Sequence, residues 1–136
     1  DWYIMMNKNI QQLRKYFQAF ADKNIEVLTE MFTDDIILID WNNTFTGKDQ
    51  VVNEVQGIFA NFKTIKLEVT DIFSSLNIIN ADRGETTVSI PKDDSFACEI
   101  VIVFDDLEPL YIMDLIEFDD EGRIKKLTAY NRNFGK

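Results

Sequence analysis

Two acids stand where aliphatic residues would be expected. Asp114 lies inside Leu110-Tyr111-Ile112-Met113-Asp114-Leu115-Ile116, and Asp40 ends Ile36-Ile37-Leu38-Ile39-Asp40-Trp41. An isolated buried carboxylate is very costly, so such a group must be paired, protonated or engaged in chemistry. Strand alternation puts Ile36, Leu38 and Asp40 on one face, and Ile112, Asp114, Ile116 and Phe118 on one face of another strand. If those faces line a cavity, burial raises both carboxyl pKa values, and different surroundings can leave one acid ionised and the other neutral. That division suits proton transfer. The chain contains no histidine, which excludes a Ser-His-Asp triad, a Cys-His dyad and a His-based zinc site. Acid–base chemistry therefore falls to Asp, Glu, Tyr or Lys.

The remaining candidates carry less. Cys98, the single cysteine, lies in the alternating run Phe96-Ala97-Cys98-Glu99-Ile100-Val101. It reads as a small buried hydrophobe with no base to activate it. It excludes an internal disulfide and fits a reducing, cytoplasmic compartment. Asp34-Asp35 reads as a turn, and Asp105-Asp106 and Asp119-Asp120-Glu121 as acidic hairpin tips. These offer too few ordered oxygens for calcium, so no metal and no cofactor is expected.

The elements that must position the acids follow from periodicity. Ile10, Leu13, Phe17 and Phe20 recur at helical spacing with Tyr16 beside them, which predicts a helix over about 7–22. Asn24 is a candidate N-cap for a short second helix with Ile25, Leu28, Met31 and Phe32 as its stripe. After Asp34-Asp35, Ile36–Asp40 reads as a strand, Asn42-Asn43 and Gly47 as a loop, and Lys48–Asn61 as a third helix. The period then becomes two. Ile65–Phe73 reads as a strand, Leu76–Ile90 as less regular strand broken at Asp82-Arg83-Gly84, and Phe96–Phe104, Leu110–Phe118 and Ile124–Phe134 as further strands. Helices ahead of a strand meander indicate an α+β fold in one domain over residues 1–136. Met5-Met6 offers an internal start, so Asp1–Ile4 reads as a remnant of expression or processing, and residues 1–6 as either disordered or part of such a remnant.

Composition limits the partners. The 136 residues are 46% hydrophobic with 11 Phe, enough for a core and a lined cavity. The net charge is −10, which disfavours nucleic acid and anionic membrane surfaces. No apolar run approaches the ~20 residues of a membrane span.

Three segments carry a family resemblance. Tyr16-Phe17-Gln18-Ala19-Phe20 with Ala21-Asp22-Lys23-Asn24-Ile25-Glu26-Val27-Leu28 resembles the first helix, turn and second helix of the nuclear transport factor 2-like superfamily. Met31-Phe32-Thr33-Asp34-Asp35-Ile36 resembles its entry into the first strand, and Asp114-Leu115-Ile116-Glu117-Phe118 through Gly122-Arg123-Ile124 its last hairpin. The chain is similar to the SnoaL-like and ketosteroid isomerase-like branch. The resemblance implies a cone-shaped fold, with three helices in the N-terminal half on a curved, mostly antiparallel sheet that encloses a pocket.

The resemblance also implies roles. Asp40 stands at the isomerase general base, Tyr16 at the helix donor to the enolate oxygen, and Asp114 at the carboxylic acid that an apolar site keeps neutral as second donor. Leu38, Trp41, Phe59, Ile112, Ile116 and Tyr130 are the expected pocket residues. The expected ligand is small, apolar and carbonyl-bearing, such as a steroid or polyketide, and the expected assembly a homodimer through the outer sheet face. There are departures. Trp41 follows Asp40 where these isomerases carry Pro, and Ser74–Ser95 is longer than its counterpart. The His pair of scytalone dehydratases is absent, and no Asp-Arg-Asp set of the limonene-epoxide-hydrolase type is evident. Other roles stay open: Asp40 as a cap of the Asn42-Asn43 turn, Asp114 as a hydrogen-bonded structural acid, and Tyr16 as a core aromatic. The functional alternatives are a polyketide cyclase and a non-catalytic binding or assembly module of the same fold.

Overall fold

Helical stripes and strand alternation resolve into two layers in the computed structural model. It describes residues 2–74, 79–80, 87–88 and 94–133, with side chains described over 8–74 and 94–133. The helices are α1 (Trp2–Ala21), α2 (Ile25–Met31) and α3 (Lys48–Asn61). The strands are β1 (Phe32–Ile39), β2 (Thr44–Thr46), β3 (Ile65–Ser74), β4 (Ile79–Asn80), β5 (Thr87–Val88), β6 (Ser95–Phe104), β7 (Leu110–Phe118) and β8 (Ile124–Asn131). Six of them form an open mixed sheet in the order β2-β1-β8-β7-β6-β3. The β1–β8 pairing is parallel, and the other pairings in that sheet are antiparallel. The α+β class and the helices-on-sheet arrangement are as expected.

Local chemistry explains the helix junctions. The Asn24 side chain accepts from the Val27 N–H at 3.2 Å, capping α2. Lys23, at φ 58°, turns the chain out of α1, and the Asn24 N–H closes that turn on the Ala19 carbonyl at 2.8 Å. Gly47, at φ 88°, starts α3 in a conformation that other residues resist. Its N–H donates to the Ile36 carbonyl at 2.8 Å, which pins the start of α3 to β1. Asn24→Ala should therefore destabilise the fold by about 1 kcal/mol, read as a lower urea midpoint with an unchanged slope. No loss would remove the cap from the account.

The core forms where α1, α2 and α3 cover one sheet face. Leu13, Leu28, Phe32, Ile36, Val51, Ile116, Phe118 and Ile124 are fully buried there. Phe96 meets Phe118 edge-on with centroids 5.9 Å apart. Bulges interrupt the β1–β8, β3–β6 and β7–β8 registers and bend the strands.

Several boundaries differ from expectation. Residues 2–6, for which disorder was one of two expectations, belong to α1. Asp34 and Asp35 do not form a turn: β1 begins at Phe32, and its bulge leaves both acids exposed within the strand. The expected Asn42–Gly47 loop contains β2, which pairs Thr44–Thr46 with Ile37–Ile39. In the region of Leu76–Ile90 only β4 and β5 are described, pairing Ile79 with Val88 and Asn80 with Thr87. The rest of that stretch, and Phe134 of the last strand, lie outside the described residues.

Candidate active site

Asp114 is held in the middle of β7, between Cys98 on β6 and Ala129 on β8. This row of the sheet points toward the helices, as the fully buried Cys98 shows. Tyr16 comes down from α1, its ring edge-on to Phe17 at 5.2 Å and tilted against Phe20 at 6.3 Å. Asp40 follows the end of β1 directly. These three side chains line one cavity of about 130 Å³. Its walls are mostly aliphatic and aromatic: Leu38, Ile112, Leu127 and Ala129 from the sheet, Phe17, Phe20, Val55 and Ile58 from the helices, and Trp41 after β1.

The environment separates the three polar groups. Burial pushes the Asp114 carboxyl up from 3.8 to about 7, so near neutral pH much of it is an acid that can donate. Tyr16 is only 7% exposed. Burial first, then Asp114 and Cys98, push its hydroxyl well above the usual phenol range, so it stays a donor. That hydroxyl makes no hydrogen bond within the described residues, and neither does the Asp114 carboxyl. Burial and Asp114 push the Cys98 thiol up to about 12, which leaves it un-ionised and not nucleophilic.

Asp40 holds two of the positions left open to it. Its Oδ1 accepts the Asn42 and Asn43 N–H groups at 2.8 and 2.7 Å, and its own N–H donates to the Asn43 carbonyl at 3.0 Å. It is therefore a turn cap as well as a residue of the cavity wall. The two roles are compatible, because Oδ1 closes the turn while Oδ2 has no partner within the described residues. The turn fixes where the carboxylate stands.

Of the expected pocket residues, Leu38, Trp41 and Ile112 line the cavity. Phe59, Ile116 and Tyr130 do not. Phe59 is core, packed edge-on against Phe20 at 5.3 Å. Ile116 is fully buried in the core. Tyr130 lies on the opposite sheet face, 59% exposed. The β7–β8 bulge explains that error. It lets Ile124 and Leu127 both face inward although they are three apart, after which alternation brings Ala129 in and turns Tyr130 out.

Glu54 lines the cavity and was not anticipated. The signal was present: Val51, Glu54, Val55 and Ile58 share one helical face, so Glu54 is another acid inside an apolar stripe. No arginine lines the cavity among the described residues.

Three helices on an open, bulged sheet, with an acid-bearing apolar cavity between the layers, define a fold of the nuclear transport factor 2-like class. Residues 13–127 match the SnoaL-like domain, and the chain belongs to that family. No curated protein sequence matches the chain significantly. Solved structures resemble it in fold. Nuclear transport factor 2 from Cryptosporidium parvum superposes with a TM-score of 0.68 at 16% identity, over 93% of each chain. A steroid delta-isomerase from Pseudomonas aeruginosa gives 0.65 at 17% identity, over 93% of this chain and 81% of that one. An epoxide hydrolase of the LEH-like type from M. tuberculosis gives 0.68 at 12% identity, over 92% and 83%.

Proposed function

We propose that this chain is a small-molecule enzyme that moves a proton alpha to a carbonyl group inside the cavity. The observation supporting this is that Asp40, Tyr16 and Asp114 line one apolar cavity, with surroundings that suit one base and two donors. Asp40 Oδ2 takes a proton from the carbon beside the carbonyl. The electron pair left on that carbon delocalises to the carbonyl oxygen, which accepts hydrogen bonds from Tyr16 and neutral Asp114. Asp40 then returns the proton at the vinylogous carbon, and the site regains its starting state. Every group in this cycle belongs to the chain. A steroid delta-isomerase from Pseudomonas aeruginosa shares the fold in which this cavity is set.

Cavity size narrows the ligand. About 130 Å³ approaches the ~150 Å³ apolar cavity that accepts a benzene ring. A single ring fits, whereas a steroid would extend through the mouth. The test is the conversion of cyclohex-3-enone to cyclohex-2-enone by ultraviolet absorbance, with a 5-ene-3-ketosteroid in parallel. Turnover of the one-ring ketone above an Asp40→Asn control supports the reading, and no turnover of either ketone above that control overturns it. In the same assay Tyr16→Phe should lower the rate by about 10²-fold, the usual cost of one oxyanion donor.

A second reading is a binding module without turnover, favoured by the engagement of Asp40 Oδ1 in its turn. Tight binding of one-ring ketones without conversion would support it. The expected homodimer would use the outer sheet face, where Phe73, Tyr111 and Tyr130 are exposed.

A further inference from the structure

We propose that the cavity takes a one-ring ligand carrying an ammonium group, with Glu54 as its counter-ion. This rests on the same cavity as the proton-transfer reading and names its substrate class.

The ionisable groups on the wall include acids and no bases. Asp40, Glu54 and Asp114 line the cavity, and no Lys or Arg among the described residues does. Among the described residues none of the three is ion-paired. Within the described residues, the ion pairs join Lys48 to Asp34 and Arg123 to Asp119 and Glu121. Glu54 is half-buried and accepts no hydrogen bond there. Its carboxylate has no cation beside it among the described residues, and a bound ammonium supplies one.

A second observation points to a ligand independently of the acids. Tyr16 is 7% exposed, lines the cavity, and has a hydroxyl without a partner in the described residues. Such a group expects a ligand atom. The rings of Phe20, Trp41 and Phe104 are also in the wall, and aromatic faces attract cations. The cation is organic. Among the described residues no three His, Cys, Asp or Glu side chains are grouped to ligate one metal ion, and the cavity is benzene-sized and apolar.

The proposed chemistry benefits from this. When Asp40 takes its proton, negative charge appears on the carbonyl oxygen, in a cavity that Glu54 also lines and where no Lys or Arg among the described residues stands. A substrate that carries its own ammonium keeps that intermediate zwitterionic, with the positive end against Glu54. An anionic substrate would face like charge in a weakly screening site, where repulsion is largest.

The test is isothermal titration at neutral pH and low salt with benzylammonium, benzyl alcohol and benzoate, three ligands of one size and different charge. Benzylammonium should bind about tenfold or more tightly than benzyl alcohol, with benzoate undetected. Glu54→Gln should remove that preference and leave the alcohol affinity within about twofold. Benzyl alcohol binding as tightly as benzylammonium overturns the inference, and so does an ammonium preference that survives Glu54→Gln. The wild-type series decides the matter if the variant does not fold. If the alcohol alone binds, the charge assignment fails while the cavity and its proton-transfer reading stand. If none of the three binds, the inference fails, and the enone assay decides the proton-transfer reading separately.

Discussion

Asp40→Asn is expected to lower the rate of proton transfer by about 10²–10⁴-fold, the range over which positioned acid–base groups act. The substitution is a clean one here because of how Asp40 is held. Its Oδ1 accepts two backbone N–H groups from Asn42 and Asn43, and an asparagine amide oxygen accepts the same pair. The turn, the aim of the side chain and the volume of the wall are kept. What is lost is the basic Oδ2, replaced by an amide nitrogen that cannot take a proton. Ketone affinity should therefore change little while turnover collapses, which separates a catalytic base from a structural cap. The check is the enone assay with a parallel thermal melt. An unchanged rate in a well-folded variant would reduce Asp40 to its turn, and a variant that melts early would show that the turn needs the charge.

Asp114→Asn is expected to stabilise the protein at pH 8 and leave its stability unchanged at about pH 2.5. Asp114 has a folded-state pKa of about 7, against an ordinary value of 3.8. The folded chain therefore holds this proton more tightly than the unfolded chain does. Well below pH 3.8 both states are protonated, and the group does not bear on stability. As pH rises from about 4 to 7 the unfolded state releases the proton first, so folding loses ground until the folded carboxyl also ionises. At about 1.4 kcal/mol per pKa unit the cost reaches a few kcal/mol, less what screening removes at a half-buried residue beside an open cavity. Urea midpoints at the two pH values measure it. The same ionisation has a kinetic counterpart. The wild-type rate should fall as pH rises past about 7, because the neutral donor is lost, whereas asparagine donates at every pH and should flatten that limb. A wild-type profile that rises through pH 7 would mean that Asp114 does not act as the neutral donor.

How much could be read in advance depended on how far each signal reached along the chain. The limits of α3 and β7 were legible because a helical stripe and a strand alternation run through each without interruption, and Asn24 was legible because a cap is a contact three residues long. β2 was missed because three residues are too few for a period. The start of β1 was misplaced because Asp34-Asp35 look like a turn, when a bulge against β8 lets a strand carry both acids outward. Alternation alone points Tyr130 inward for a similar reason, since the register shift that turns it out arises from pairing with β7.

The sequence alone determined the class of fold, the absence of histidine chemistry, and the presence of acids on apolar elements. Those follow from residue type and local period, which need no partner segment. Only the tertiary structure decided that Asp40, Tyr16 and Asp114 line one cavity, that Glu54 joins them, and that the space is of single-ring size. Those properties belong to the gap between helices and sheet. The gap's shape is set by packing and strand bulges between segments far apart in sequence, a relation that no local pattern encodes.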